Sequence, residues 1–360
     1  MVSLWHAFDL AASLDEGGIA ETPAPRRAIG RTRLLPAWLK AELLSSERAR
    51  SHEVAWRDLA SRALIPNLFA EPDIALPAAT HLMQGQTLRF LFAWDERAYP
   101  LPRLILCVPL ILPTFGVAEA RIWNHELLPS STPLIDSDEA DVAMDAFLEA
   151  VGSGPARANG LRLPHVDEAS PFAALVRRAA ARSGRNILRF ERPWPTSSRH
   201  SEEGPAPSRL RTAIARSPRR VREAVEHFLA IEALGPAGQA GDALLLSPQA
   251  SAFLRVVTRS LAKRLLCHVE LRLSKGKPVG ADIYLRSGEQ DILWMSAGLG
   301  GAVSSQHAVP PARAEHDASR ASVDWLIAAR PGRSPAILAL AARDALSRRL
   351  RQVVKRVSGG

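Results

Sequence analysis

Apolar positions change period most clearly between Val221 and Met295. In the run VREAVEHFLAIEAL they recur at three- and four-residue steps, as one face of a helix requires. GPAGQAGDALLL, a glycine loop, follows. The spacing then predicts a second helix over 247–266, with Ser247 as cap and Pro248 in the first turn, where no amide donor is needed. Phe253, Val256, Val257, Leu261 and Leu265 form its apolar face. From Cys267 the period drops to two. Val269, Leu271 and Leu273 alternate with His268, Glu270 and Arg272, and Val279, Ala281, Ile283 and Leu285 alternate with Gly280, Asp282 and Tyr284. With DILWM, these runs predict a three-stranded meander.

Upstream, the pattern predicts helices over 36–44 and 51–64, the second capped by Ser51. Prolines and Asn67 interrupt IPNLFAEPDIALPAATHLM. Strands are expected over 88–94, 101–111 and 121–123, then a bend over 131–135 and a helix to Val151 capped by Asp136 or Ser137. A strand at 161–163, a helix at 171–182 and a strand at 186–191 complete this half. Proline, serine and arginine dominate 192–220, which reads as a linker with the domain boundary near residue 205. Helices are expected over 318–329 and 335–357, the last with a basic C-terminal end suited to a helix dipole or to peripheral contact with an acidic surface. The expected fold class is α+β. Its parts are a loosely ordered arm over 1–32, a first domain over 33–204 and a second over 205–360, a division that suits 360 residues.

The formal charge of +9 does not by itself point to nucleic acid, because no stripe of basic and aromatic residues accompanies it. Only five of the basic residues are lysines, and with the many alanines this suggests a GC-rich coding bias. Cys107 and Cys267 lie far apart in apolar runs and read as core residues. The first residues lack the basic start and apolar stretch of an export signal. The longest apolar run, LILCVPLIL, is far shorter than a membrane span of about 20 residues. A cytoplasmic location is expected, and no histidine spacing reads as a metal site.

Three ordered segments carry a resemblance. WRDLASRALIPNLFAEPDIALPA, WNHELLPSSTPLID and FLAIEALGPAGQAGDAL are similar to signatures of the CelD-type proteins of the GNAT acyltransferase superfamily. The resemblance implies two tandem GNAT-like domains, as in FemAB-like transferases, each with a mainly antiparallel central sheet flanked by helices. It also implies acyl transfer from acetyl-CoA or another acyl-CoA to an amine or hydroxyl, in a small molecule or glycan precursor of exopolysaccharide or cellulose metabolism. The chain departs from the pattern where the family shows Gly-Trp-Lys-Gly and Gly235-Pro236-Ala237-Gly238 stands here, and again at SAGLGGAVSSQHAVP. Those departures keep a second reading open, a non-catalytic binding or assembly protein with a degenerate donor site.

On the GNAT reading, Gly298, Gly300 and Gly301 are the expected donor residues, because backbone amides at a strand end can hold a pyrophosphate only where side chains do not intrude. Gly235, Gly238 and Gly241 are expected to shape an acceptor groove, or Gly235 simply to end its helix. A general base must take a proton from the attacking amine and an acid must serve the leaving thiolate. Glu232 is the candidate base and Tyr284 the candidate acid, with Asp282 beside it. Asn67, Glu71 and Trp123 are the residues of interest in the first domain; Asn67 and Trp123, with Asp282, are candidate substrate-binding residues, more suited to fixing their segment than to reacting.

Overall fold

The computed structural model describes residues 35–83, 87–98, 100–113, 119–192, 210–288, 290–299 and 322–328. The expected arm over 1–32, the expected helix over 335–357, Gly300 and Gly301 lie outside them.

The architecture is α+β, with two sheets and eight helices among the described residues. Its first part runs β1 (Leu39–Leu44), α1 (Ser46–Arg50), α2 (Glu53–Ser61), α3 (Pro72–His81), β2 (Leu88–Asp95), β3 (Arg103–Ile111), β4 (Ala120–Ile122), β5 (Leu134–Ile135), α4 (Ala140–Gly152), β6 (Gly160–Val166), α5 (Pro171–Arg182) and β7 (Ile187–Arg192). Then come β8 (Arg211–Ala215), α6 (Pro218–Leu234), α7 (Pro236–Gln239), α8 (Pro248–Lys263), β9 (Cys267–Ser274), β10 (Lys277–Ser287), β11 (Gln290–Gly298) and β12 (Ser322–Ala328). The first sheet has the order β1-β2-β3-β4-β6-β12-β7, with β5 on β3, and the second β11-β10-β9-β8. All pairings are antiparallel except β4 with β6, which run parallel over Ala120↔Leu161 and Arg121↔Arg162.

The period-two segments set the layers. Along β2, Phe90, Phe92 and Trp94 face one core while Leu91 and Ala93 face the other. The first core also takes Trp56 of α2, Ile74 of α3, Phe228 of α6, Phe253 of α8 and the inward residues Val269, Ala281, Ile283 and Leu285 of the second sheet. Trp56 packs edge-on against Phe90 and Phe92, with ring centroids 5.0 and 5.4 Å away. The second core holds Met144 and Phe147 of α4 and Phe172 and Val176 of α5. Each such side chain contributes about 1.5–3 kcal/mol on burial. A polar staple crosses the first core's margin. Asp73 of α3 takes hydrogen bonds from Arg57 of α2, at 3.2 Å, and from Ser260 of α8, at 2.7 Å, and pairs with Arg264.

Several expectations are corrected. Residues 39–44 form strand β1, not a helix; LKAELL is rich in helix formers, but its backbone pairs with β2 from Leu39↔Asp95 to Leu44↔Phe90. The 51–64 helix is the shorter α2, entered from His52, and Ser51 does not start it but ends α1, which Ser45 caps; α4 is entered from Glu139, not Asp136 or Ser137. The interrupted proline segment contains α3, whose first residue is Pro72. Within the expected linker, β8 pairs with β9. The 318–329 helix is strand β12, between β6 and β7. Trp325, Leu326 and Ile327 are all buried there, and a strand covered on both faces loses the alternation that distinguishes it from a helix.

Candidate functional site

Five chain segments meet at one end of the second sheet. α6 ends there, α8 begins, β9 turns into β10 through Lys275 and Gly276, β11 ends, and β8 starts with Arg211 opposite Leu273. The loop between the two helices is built on its glycines. A Cβ on Gly235 would stand 2.9 Å from the carbonyl oxygen of Gly298, so the end of α6 and the end of β11 approach as only glycine permits. Gly235 has extended backbone, φ −88° and ψ −165°, and is not the left-handed cap that its position suggests. A Cβ on Gly238 would overlap the Ala233 carbonyl, whereas Gly241 has open space and a φ of +79°. Close approach fixes the first two glycines and backbone conformation the third.

Glu232 belongs to the same end. It is buried, and its Oε2 accepts a 3.0 Å hydrogen bond from the Leu244 amide, tying the return of the loop to the last turn of α6. Burial pushes its carboxyl above the usual value, against the opposing effect of that hydrogen bond.

The structure thus brings Glu232, Gly235 and Gly298 together and leaves Tyr284 elsewhere. Ile283 faces the core that contains α6, so Tyr284, the next residue, points to the other face of β10. There it stacks on His268, with centroids 4.9 Å apart and planes within 6°. Burial, then the charges of Asp282 and Glu270, raise the Tyr284 hydroxyl, and burial lowers His268. Asp282 on the same face accepts from Ser296 Oγ and pairs with Arg272 at 2.8 Å. Arg272 lies over Gly280, where a Cβ would stand 2.4 Å from its Nε, and donates to the Ala297 carbonyl at 3.0 Å. Ser296 and Arg272 were not singled out by their sequence setting.

Trp294 is a further residue that the motifs did not select. In the β10–β11 register Ile283 faces Met295 and Tyr284 faces Leu293, so Trp294 is the extra residue of a β-bulge. Its indole is buried against Phe69 and Phe253 and donates to the Leu127 carbonyl at 2.8 Å. The signal was present in Ile292-Leu293-Trp294-Met295, four consecutive apolar residues where strict alternation would place polar ones.

Asn67 and Trp123 sit on the first-sheet side of this contact. Asn67 Nδ2 donates to Thr132 O at 2.6 Å while its Oδ1 accepts from the Phe69 amide, and Trp123 is buried beside His125. Glu71 pairs with Arg264 at 3.3 Å in the polar staple.

An anionic donor group requires amides or cations. The N-terminus of α4 opens onto a hollow of about 340 Å³ lined by Ser137, Asp138, Glu139, Asp141 and Arg178 among others. Its three carboxylates already complement the positive end of the helix dipole and would repel a pyrophosphate. At the end of β11 the Leu299 amide donates to the Val279 carbonyl at 2.8 Å, so it is committed within the sheet. Gly300 and Gly301 lie outside the described residues. No group of three or more potential metal-ligating side chains occurs among the described residues.

No family model and no curated protein sequence matches the chain. Among solved structures, a tandem GNAT protein from the clavulanic acid biosynthesis pathway is similar at 12% identity and TM-score 0.36, covering 82% of this chain and 100% of that one. The C-terminal domain assigned to a lysylphosphatidylglycerol synthetase of Agrobacterium fabrum is similar at 10% identity and TM-score 0.42, covering 82% and 97%. A GCN5-related N-acetyltransferase from Sphaerobacter thermophilus is similar at 12% identity and TM-score 0.23, covering 84% and 99%.

Proposed function

We propose that the chain is a GNAT-like N-acyltransferase whose reacting centre lies where α6 and β11 converge. The observation that carries this reading is the close approach of Gly235 to Gly298 beside the buried Glu232, on a bulged strand at the edge of its sheet among the described residues. Bulges at sheet edges re-aim side chains and gather beside active sites. The resemblance of FLAIEALGPAGQAGDAL to the CelD-type signature supports the same place. An acyl-CoA supplies an activated thioester, held on this reading by the backbone from Gly298 through Gly300 and Gly301. Glu232, whose carboxyl burial raises above its ordinary value, takes the proton of the attacking amine. The amine nitrogen bonds to the acyl carbon, the carbon–sulfur bond breaks, and the thiolate takes its proton from solvent. Tyr284 lies on the other face of the sheet and has no part in this step. An acceptor in cytoplasmic exopolysaccharide or cellulose metabolism fits the resemblance.

A second reading, a GNAT-fold binding or assembly protein without a working donor site, is favoured by the Leu299 amide, which is spent on Val279. Thermal melting with coenzyme A, acetyl-CoA and longer acyl-CoAs separates the two. A ligand at about 100 times its dissociation constant stabilises the folded chain by ~2.7 kcal/mol. A rise in midpoint that is lost in Gly298→Leu supports the enzyme. No rise with any thioester at millimolar concentration favours the binding protein.

A further inference from the structure

The end of the second sheet where these segments converge also carries an unusual surface. Leu234 at the end of α6 is 70% exposed, Leu246 64%, Leu245 45% and Leu299 37%. The hydrogen bond from Leu244 to Glu232 holds Leu245 and Leu246 against the last turn of α6, and the Gly235–Gly298 approach brings Leu299 to the same end. Between Leu234 and Leu246 the chain reads LGPAGQAGDALLL, with Asp242 its only charge. Beside it stands the β9–β10 hairpin, whose Val279 carbonyl receives the Leu299 amide and which exposes Lys275 and Lys277. Arg211, also exposed, starts β8 at this end. Among the described residues, Lys275, Lys277 and Arg211 are the exposed cations named at this end and Asp242 the exposed anion.

We propose that this end of the protein docks peripherally on a bilayer containing anionic phospholipid, with the four leucines entering the interface and Lys275, Lys277 and Arg211 meeting the headgroups. The chemistry favours a lipid surface over a protein partner. Interfaces between proteins are enriched in aromatic residues and depleted in lysine, whereas exposed leucines flanked by lysines are the composition of interfacial membrane contacts. Exposed loop leucines add apolar area, and each cation near an anionic surface strengthens attachment about fivefold. No helix among the described residues is long and apolar enough to cross a membrane. The leucines and the hairpin lie at this surface whether or not the chain transfers acyl groups.

The test is co-sedimentation of the full chain with vesicles of phosphatidylcholine alone or mixed with phosphatidylglycerol. Binding is expected to the mixed vesicles and to weaken with salt. The double variant Leu245→Ser/Leu246→Ser and the double variant Lys275→Glu/Lys277→Glu should each lower the partition coefficient by about tenfold or more. Val54→Ser with Leu101→Ser, exposed apolar residues elsewhere, should leave it unchanged. All these side chains are at the surface, and unaltered thermal melting confirms that the variants fold. Absence of binding to mixed vesicles overturns the proposal, as does binding that survives in both double variants, which would place attachment elsewhere. Concentration-dependent dimerisation abolished by the leucine variant, without vesicle binding, would assign the surface to a second copy and also overturn it.

Discussion

Trp294 Nε1 donates a 2.8 Å hydrogen bond to the Leu127 carbonyl, joining the bulge of the second sheet to the segment that follows β4 in the first. The indole is 1% exposed. Trp294→Phe keeps most of the ring contact but leaves a buried carbonyl without its donor, and is expected to cost roughly 1–3 kcal/mol in urea unfolding. Trp294→Ala adds a cavity and should cost about 3–5 kcal/mol. No loss in Trp294→Phe beside a full loss in Trp294→Ala would show that the hydrogen bond contributes nothing beyond packing.

The Asp73 staple gives a pH signature. Burial pushes its carboxyl up, but the hydrogen bonds from Ser260 and Arg57 and the charges of Arg264 and Arg57 outweigh it and hold the group below the ordinary range. A depressed folded value means stability that is fully present above the unfolded value of about 3.9 and is lost as pH falls through the folded one. Asp73→Asn should therefore lower stability at pH 7 by roughly 1–3 kcal/mol, a modest figure because both arginines keep partial contact with water. The difference from the parent protein should shrink in urea titrations below about pH 4. A constant difference down to pH 2 would contradict the assignment.

Glu232 has the opposite sign. Burial raises its folded value, so its contribution to stability falls as pH rises from the unfolded value of about 4.3 through the folded one, and is flat above. Glu232→Gln retains an acceptor for the Leu244 amide and should remove that slope without loss of stability at pH 7. Glu232→Ala should unfold more readily. If Glu232 is the base, Glu232→Gln abolishes acyl transfer while leaving thioester binding intact.

Cys107 and Cys267 are both buried, and burial pushes the Cys267 thiol up to about 12 and the Cys107 thiol well above its ordinary value. Neither forms thiolate at pH 8, so neither should react with an alkylating reagent in the folded protein. Both should label on denaturation, as counted by mass spectrometry. Fast labelling of either in the native state would contradict its placement.

Much of this arrangement was legible in the sequence because its cause is local. The change of period at Cys267 locates the β9–β11 meander, the expected helix over 171–182 is α5, and Ser247 with Pro248 starts α8. β1 and β12 were not legible, since each is decided by strands distant in the chain: LKAELL pairs with β2, and the run from Val323 to Ala328 is buried between β6 and β7. The glycine loop could be read as shaped, but not that Gly235 answers to the carbonyl of Gly298, a contact across 63 residues. Glu232 and Tyr284 both looked available for chemistry. Alternation places Tyr284 on the face away from α6, which becomes visible only once α6 is known to cover Ile283.

Hydrogen–deuterium exchange with and without saturating acetyl-CoA reports where a thioester binds and not only whether it does. Slowed exchange is expected in peptides covering 231–244 and 293–301, and no slowing at the N-terminus of α4 over 137–141. Protection confined to α4 and the β4–β6 opening, or no protection anywhere under conditions where a donor is present at millimolar concentration, would contradict it.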